Sequence, residues 1–267
     1  MKAKPFLRWA GSKRKLVPYL STYWDNSFER YIEPFMGSAV LYYELDPNKA
    51  ILSDINKELI QTFTEIKNNP KEVHKTLSAL NPDKENYYAV RATDSESLNS
   101  VERAARFIYL NRFCFNGLYR TNQKGKFNVP FAPSGTGNIP TVEHLELASK
   151  KLANTELLAE DFESVLIRHV KAGDFVYLDP PYATNSKRVF REYGPGSFCV
   201  DDLDRLQKIL STIDQRGAHF VLSYGSCPEA LDTFSNWKPE TVSVQRNISG
   251  FVKGRRKSEE LVFTNII

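Results

Sequence analysis

An α/β fold on a parallel sheet is what this 267-residue chain predicts, and three features predict it. Phe175 to Leu178 form an uncharged apolar run, the pattern of a strand buried on both faces of a parallel sheet. Arg30 to Val40 and Lys49 to Asn56 each read as a strand leading into a helix, the first through a tight turn at Gly37 and the second closing on Asp54. Ala218 to Ser223 adds a further buried strand. At this length the chain buries a sizeable core, as one α/β domain with an insertion or as two domains.

Taken in order, apolar Phe6 and Leu7 give way to Gly11-Ser12, a loop and helix N-cap ahead of an amphipathic stretch running to about Trp24. Backbone N–H groups at that helix start, with Lys13 beside them, would make a small site for a carboxylate or phosphate. Glu33-Pro34-Phe35-Met36-Gly37 then turns the chain into a helix through Leu45. A glycine there lets a ligand approach the backbone, but the pattern is not GxGxxG and so no dinucleotide fingerprint. Asp54, ending the second strand, is placed to accept from ribose hydroxyls, to cap the following helix, or both.

Lys57 to Leu110 is helical text, with Leu59, Ile60, Phe63 and Ile66 at helical spacing and breaks at Asn69-Pro70 and Asn81-Pro82. Asn122 to Gly125 is a turn between short β-like runs, which predicts a hairpin. Basic, amide and aromatic side chains interleave there. A two-stranded ribbon fits the DNA major groove, where Arg grips guanine and Asn or Gln grips adenine. Strand and helix resume at Leu157, with Glu160-Asp161-Phe162 heading a short helix. The Phe175 strand stops at Asp179-Pro180-Pro181-Tyr182, because neither proline donates to a ladder.

Ligands of open α/β sheets bind at the carboxyl ends of strands. Asp179, the carbonyls freed there and the Tyr182 ring suit a flat, amine-bearing group such as a nucleobase. The plainer alternative is a Pro-Pro turn with a capping Asp. Beyond it lie a polar loop, Ala183 to Phe198, with Lys187 and Arg188, a helix from Asp201 to Gln215, and two strand-like runs, Glu240 to Gln245 and Leu261 to Thr264.

A net charge of +4 hints only weakly at nucleic acid, so the distribution of charge matters more. No acid occurs from Arg112 to Val142, a window holding Arg112, Arg120, Lys124 and Lys126. Arg246 to Lys257 is likewise acid-free and contains Arg246, Arg255 and Arg256. Such segments read as phosphate contacts or, more plainly, as solvated loops. Three cysteines with no CxxC pair argue for a reducing compartment and against a zinc site or disulfide framework. The four histidines have no metal-ligand spacing, and no run reaches membrane-spanning length. A cytoplasmic protein without metal or membrane is expected.

Seven segments in order then carry a resemblance: FLRWAGSKRKL, YIEPFMGSAV, ILSDINKELI, YLNRFCFNGLYRTNQKGKFNVPF, LDPPY, FVLSYGS and RNISGFVKGRRKSEELVFTN. Together they resemble the Dam-type, alpha-class DNA adenine methyltransferases, which use S-adenosylmethionine (SAM). The resemblance implies a Rossmann-like SAM domain, residues 1–56 and 154–267, with a helical and β-hairpin target-recognition insertion at 57–153. It implies methyl transfer to the exocyclic amine of adenine in duplex DNA, within GATC or a related short palindrome, by base flipping. Position by position it assigns Trp9, Lys13, Phe35, Gly37, Asp54, Asp161, Phe162 and Asp179 to the cofactor, and Asp179, Pro180 and Tyr182 to catalysis.

For DNA the same matching points to Phe115, Asn116, Leu118, Arg120 and Pro130, with Arg120 reading guanine. Arg112, Asn122, Lys124, Lys126, Lys187, Arg188, Arg246, Arg255 and Arg256 join them from charge and amide content. The chain departs from the GATC-specific pattern after Phe131, where it reads Ala-Pro-Ser-Gly, and in the glycine turn, where Gly-Ser-Ala replaces a second glycine. A cognate restriction enzyme, a phage setting and chromosomal marking all stay open. Methylation of cytosine, RNA or a protein amide is the nearest alternative activity, separable by assays on each substrate. A non-catalytic DNA-binding relative is another, separable by failure to bind SAM.

Overall fold

The computed structural model describes residues 2–132, 137–183, 198–245 and 257–266. In chain order the elements are α1 (Val17–Leu20), β1 (Tyr31–Glu33), α2 (Val40–Leu45), β2 (Ala50–Ser53), α3 (Lys57–Asn68), α4 (Pro70–Ser78), α5 (Lys84–Ala92), α6 (Ser100–Phe113) and α7 (Val142–Leu152). After these come β3 (Thr155–Leu158), α8 (Phe162–His169), β4 (Phe175–Leu178), α9 (Val200–Gln215), β5 (His219–Gly225), α10 (Pro228–Thr233), β6 (Glu240–Gln245) and β7 (Lys257–Thr264). The seven strands form one sheet in the order β3-β2-β1-β4-β5-β7-β6. The first five run parallel, β7 runs antiparallel to β5, and β6 pairs antiparallel with β7. This is the Rossmann-like α/β arrangement expected.

Both faces of the central strands β1, β2, β4 and β5 are covered, which is why these are largely apolar without alternation. Tyr31, Leu52, Phe175 and Tyr177 point into a core shared with Leu59, Phe63, Tyr87, Ile108 and Tyr109 of the helices between β2 and β3. Their neighbours Ile32, Ile51, Val176 and Leu178 face a second core with Val165, Leu166, Leu206 and Leu210 of α8 and α9. Arg30 grips buried Asp174 with two bonds, Nε to Oδ1 at 2.9 Å and Nη2 to Oδ2 at 2.7 Å, and so ties β1 to the start of β4.

Two local expectations are corrected. Ser12 caps nothing: the first helix starts only at Val17, behind Leu16, and passes into a 3₁₀ turn at Ser21–Tyr23. Pro18 explains this, because in a helix begun at Ser12 it would remove an interior bond and clash with the carbonyl four residues back, whereas at the first turn it costs nothing. Asp54 does not cap α3 either. That task falls to Asn56, whose side chain accepts the Leu59 N–H at 3.1 Å. The predicted hairpin is present in short form: Thr121 pairs antiparallel with Phe127 around the turn at residues 122–125, the Asn122 N–H donating to the Lys126 carbonyl and the Asn128 N–H to the Arg120 carbonyl, and Cys114 bridges Phe131 below it.

Candidate active site at the switch point of the sheet

The order of the parallel strands reverses between β1 and β4, and a cleft of about 1680 Å³ opens at their carboxyl ends. Such a switch point is where open α/β sheets hold ligands. Each parallel strand around it delivers an acid or ring. Glu33 ends β1 and Phe35 follows it, Asp54 follows β2, Asp161 and Phe162 follow β3, and Asp179 to Tyr182 follow β4. Trp9 to Lys15 form the amino-terminal wall, and Tyr119, Thr121 and Gly125 of the bridged loop line the same cleft.

Asp179 is the pivot. Its Oδ1 takes a hydrogen bond from Ser223 at 3.3 Å and lies 3.2 Å from Lys13 Nζ, while Oδ2 has no hydrogen bond among the described residues. Ser223 is itself bonded to the Tyr177 hydroxyl at 3.0 Å, so the two neighbouring strands orient the carboxylate. Burial pushes the Asp179 carboxyl up to about 6, against the pull of Lys13 and Ser223.

Lys13 is not the free cation of an anion site, as its place beside Ser12 suggested. Its ammonium, 8% exposed, sits 3.2 Å from both Asp179 Oδ1 and Glu260 Oε2 and donates to the Tyr182 hydroxyl at 3.0 Å. Burial disfavours its charge, but Asp179, Tyr182 and Glu260 together outweigh that and raise its pKa. Tyr182 donates in turn to Glu260 Oε1 at 2.7 Å, and its ring meets Tyr224 edge-on at 5.3 Å.

Asp54 accepts the Gly37 N–H at 3.2 Å and the Asn56 N–H at 3.0 Å, and burial lifts its carboxyl to about 6. Gly37 is required for a packing reason as well. At φ +45° a Cβ there would lie 2.6 Å from the Trp9 indole, so the glycine makes room for Trp9. Asp161 caps α8 by accepting the Glu163 N–H at 3.0 Å and pairs with Arg205. Phe162 packs on Phe35 with centroids 5.1 Å apart, and Phe198 closes the trio.

The residues expected to meet DNA differ in exposure and in their partners. Phe115, Asn116, Lys124, Lys126 and Pro130 are exposed, and Asn116 holds a left-handed φ of 56°. Leu118 and Arg120 are half-buried, and Arg120 Nε donates to Asn128 Oδ1 at 2.7 Å. Arg112 and Asn122 have local structural partners. Arg112 donates twice to the Asn138 carbonyl, at 2.9 and 2.6 Å, and Asn122 Oδ1 accepts the N–H groups of Lys124 and Lys126. Lys187, Arg188, Arg246, Arg255 and Arg256 lie outside the described residues.

Sequence reasoning missed Glu33, Glu260, Ser223 and Arg205. Glu33 and Glu260 are each 2% exposed; Glu33 closes the otherwise apolar β1, a signal that was available, whereas Glu260 sits in the polar first half of β7 beside Lys257 and Glu259 and does not stand out there. Arg205 carried none, because Asp161 is 44 residues away from it in sequence. No helix among the described residues is long and apolar enough to cross a membrane.

Comparison with known proteins adds an independent finding. A family described as D12 class N6 adenine-specific DNA methyltransferase matches residues 9–248. The chain is 33% identical over 271 residues to the Type II methyltransferase M1.LlaDCHI of Lactococcus lactis subsp. cremoris, covering 98% of this chain and 95% of that protein. It is 38% identical over 245 residues to the Type II methyltransferase M.MjaIII of Methanocaldococcus jannaschii, covering 84% of each. A DNA adenine methylase of Vibrio cholerae is 31% identical over 267 residues, covering 98% of this chain and 95% of the relative.

Proposed function

This chain belongs to the family of D12 class N6 adenine-specific DNA methyltransferases, and from that premise we propose how its cleft is shared between methyl donor and target base. The family uses SAM, which when bound supplies a methyl group on a positively charged sulfur. The residues present fit it. Asp54 offers acceptors to ribose hydroxyls, and Asp161 with Phe35 and Phe162 offers an acceptor and ring faces to a purine. Ser12 Oγ is buried without a partner among the described residues, a polar atom awaiting a ligand. Trp9, Gly37 and Lys13 complete the wall.

Adenine's exocyclic amine is a poor nucleophile because its lone pair is delocalised into the ring. Asp179 Oδ2 and the Pro180 carbonyl accept the amine's two hydrogens, which favours a pyramidal nitrogen with a directed lone pair. This is electrostatic stabilisation aimed at developing charge, combined with alignment of two bound reactants. Lys13 holds Asp179 ionised against its burial. The target base leaves the duplex stack to reach the cleft, and Tyr182 holds it by a ring face. Phe115, Asn116, Leu118, Arg120 and Pro130, in the segment 57–153 that forms the target-recognition insertion, enter a short palindrome such as GATC. The protein acts on DNA in the cytoplasm, and a restriction enzyme of the same specificity is its functional counterpart.

The observation that carries this reading is the placement of Asp179, with an open acceptor oxygen, at the switch point of the sheet in a cleft that the bridged loop also borders. An Asp179→Ala variant tests it. DNA binding persists, while methylation drops by at least about 10³-fold; near-normal turnover would overturn the role. Long-read sequencing of DNA from cells expressing the chain identifies the methylated site.

A further inference from the structure

Three carboxylates converge on one guanidinium at the aromatic end of the cleft. Arg205 of α9 pairs through Nη2 with Asp161 Oδ1, through Nε with Glu163 Oε2 at 2.8 Å, and through Nη1 with Asp202 Oδ1 at 2.7 Å. The same guanidinium lies over the Phe162 ring, 4.7 Å from its centroid. Asp161 Oδ1 is therefore occupied twice, by Arg205 and by the Glu163 N–H, whereas Oδ2 carries no hydrogen bond among the described residues. A half-exposed carboxylate on a helix cap would otherwise swap its oxygens by rotating about χ2. A rigid fork anchored on two further acids removes that freedom.

Resting on the reading of this end as the purine pocket, we infer that Arg205 is a positioning residue. It fixes Asp161 with Oδ2 available to the exocyclic amine of the donor's purine, and so sets the preference for an amino over a carbonyl group there. The physical basis is asymmetric. An amine donates to Oδ2, while a carbonyl placed at the same point meets a lone pair, and the excess of acid over base around Arg205 sharpens that rejection.

Calorimetric titration with S-adenosylhomocysteine and with S-inosylhomocysteine, which bears a carbonyl in place of the amine, tests this on the full chain. The unmodified protein favours the amine. In Arg205→Ala the amine-bearing ligand weakens about tenfold and the preference between the two shrinks, while kcat at saturating SAM stays within about twofold. Adding Arg205→Ala to Asp161→Ala costs little more, because both act through one oxygen.

Preference lost in Asp161→Ala but intact in Arg205→Ala overturns the role of Arg205 and leaves the purine pocket standing. Unchanged affinities in Asp161→Ala overturn the pocket reading itself. Where Arg205→Ala fails to fold, Arg205→Lys decides. It keeps the charge without the fork, so a preference equal to that of the unmodified protein overturns the inference.

Discussion

At Asp179 two effects compete for one charge. Burial disfavours the carboxylate and is the larger, lifting its titration from 3.8 to about 6, while Lys13 and Ser223 pull the other way and Glu260 adds repulsion. Glu33, buried nearby, is pushed well above its ordinary value by burial and by the fields of Asp179 and Asp54, against the hydrogen bond it accepts from Tyr31. Because the folded value of Asp179 lies above the unfolded one, its ionised form costs stability above pH 6, a cost that vanishes below 3.8. Activity runs in the opposite sense: kcat at saturating SAM falls as pH drops through about 6. Asp54 titrates in the same region, and its protonation appears instead as a rise in KM for SAM. A kcat flat down to pH 4.5 would separate Asp179 from the chemistry. Arg120, oriented by Asn128, carries a second residue-scale expectation. Arg120→Ala relaxes discrimination at one base by about 1–3 kcal/mol. An equal loss on every sequence would mark it as a phosphate contact instead.

Among the elements, α6 ties the amino-terminal wall of the cleft to the bridged loop. Asn111, 3% exposed near its carboxyl end, donates to the Arg8 carbonyl at 2.6 Å and accepts the Arg8 N–H at 2.8 Å, satisfying a stretch of chain that has no strand to pair with. One residue on, Trp9 stacks on Tyr119 of the bridged loop, with centroids 5.9 Å apart. Asn111→Ala leaves two backbone groups unpaired and costs about 2–3 kcal/mol in chemical denaturation. It also raises KM for SAM, because the segment bearing Trp9 and Lys13 loses its anchor. Unchanged stability and KM together would show the clamp to be incidental.

At the scale of the molecule, the helices inserted between β2 and β3 do not own a separate core. Phe63, Tyr87, Ile108 and Tyr109 share one apolar cluster with Tyr31, Phe175 and Tyr177 of the sheet. Unfolding is therefore expected in one step despite a length at which intermediates are common. Tryptophan fluorescence, reporting Trp9, Trp24 and Trp237, and far-ultraviolet circular dichroism should give coincident denaturation midpoints. Two resolved transitions would mean that segment 57–153 folds on its own.

The parallel sheet, the strand-end acids Asp54 and Asp179, the short helix after Glu160-Asp161-Phe162 and the family could all be read from the sequence, because each is written in a few consecutive residues. Periodicity and proline punctuation are local, and the carboxyl end of a buried strand presents its next few side chains to the cleft. One local rule misled, at Ser12, where a cap-like residue lay too close to Pro18. What only the tertiary structure decided is how the charges are shared. Lys13 meets Tyr182 across 169 residues and Glu260 across 247, and Arg205 of α9 meets Asp161 and Glu163 at the start of α8. Ion pairs form wherever folding brings opposite charges together, and nothing in the spacing of residues along the chain announces them.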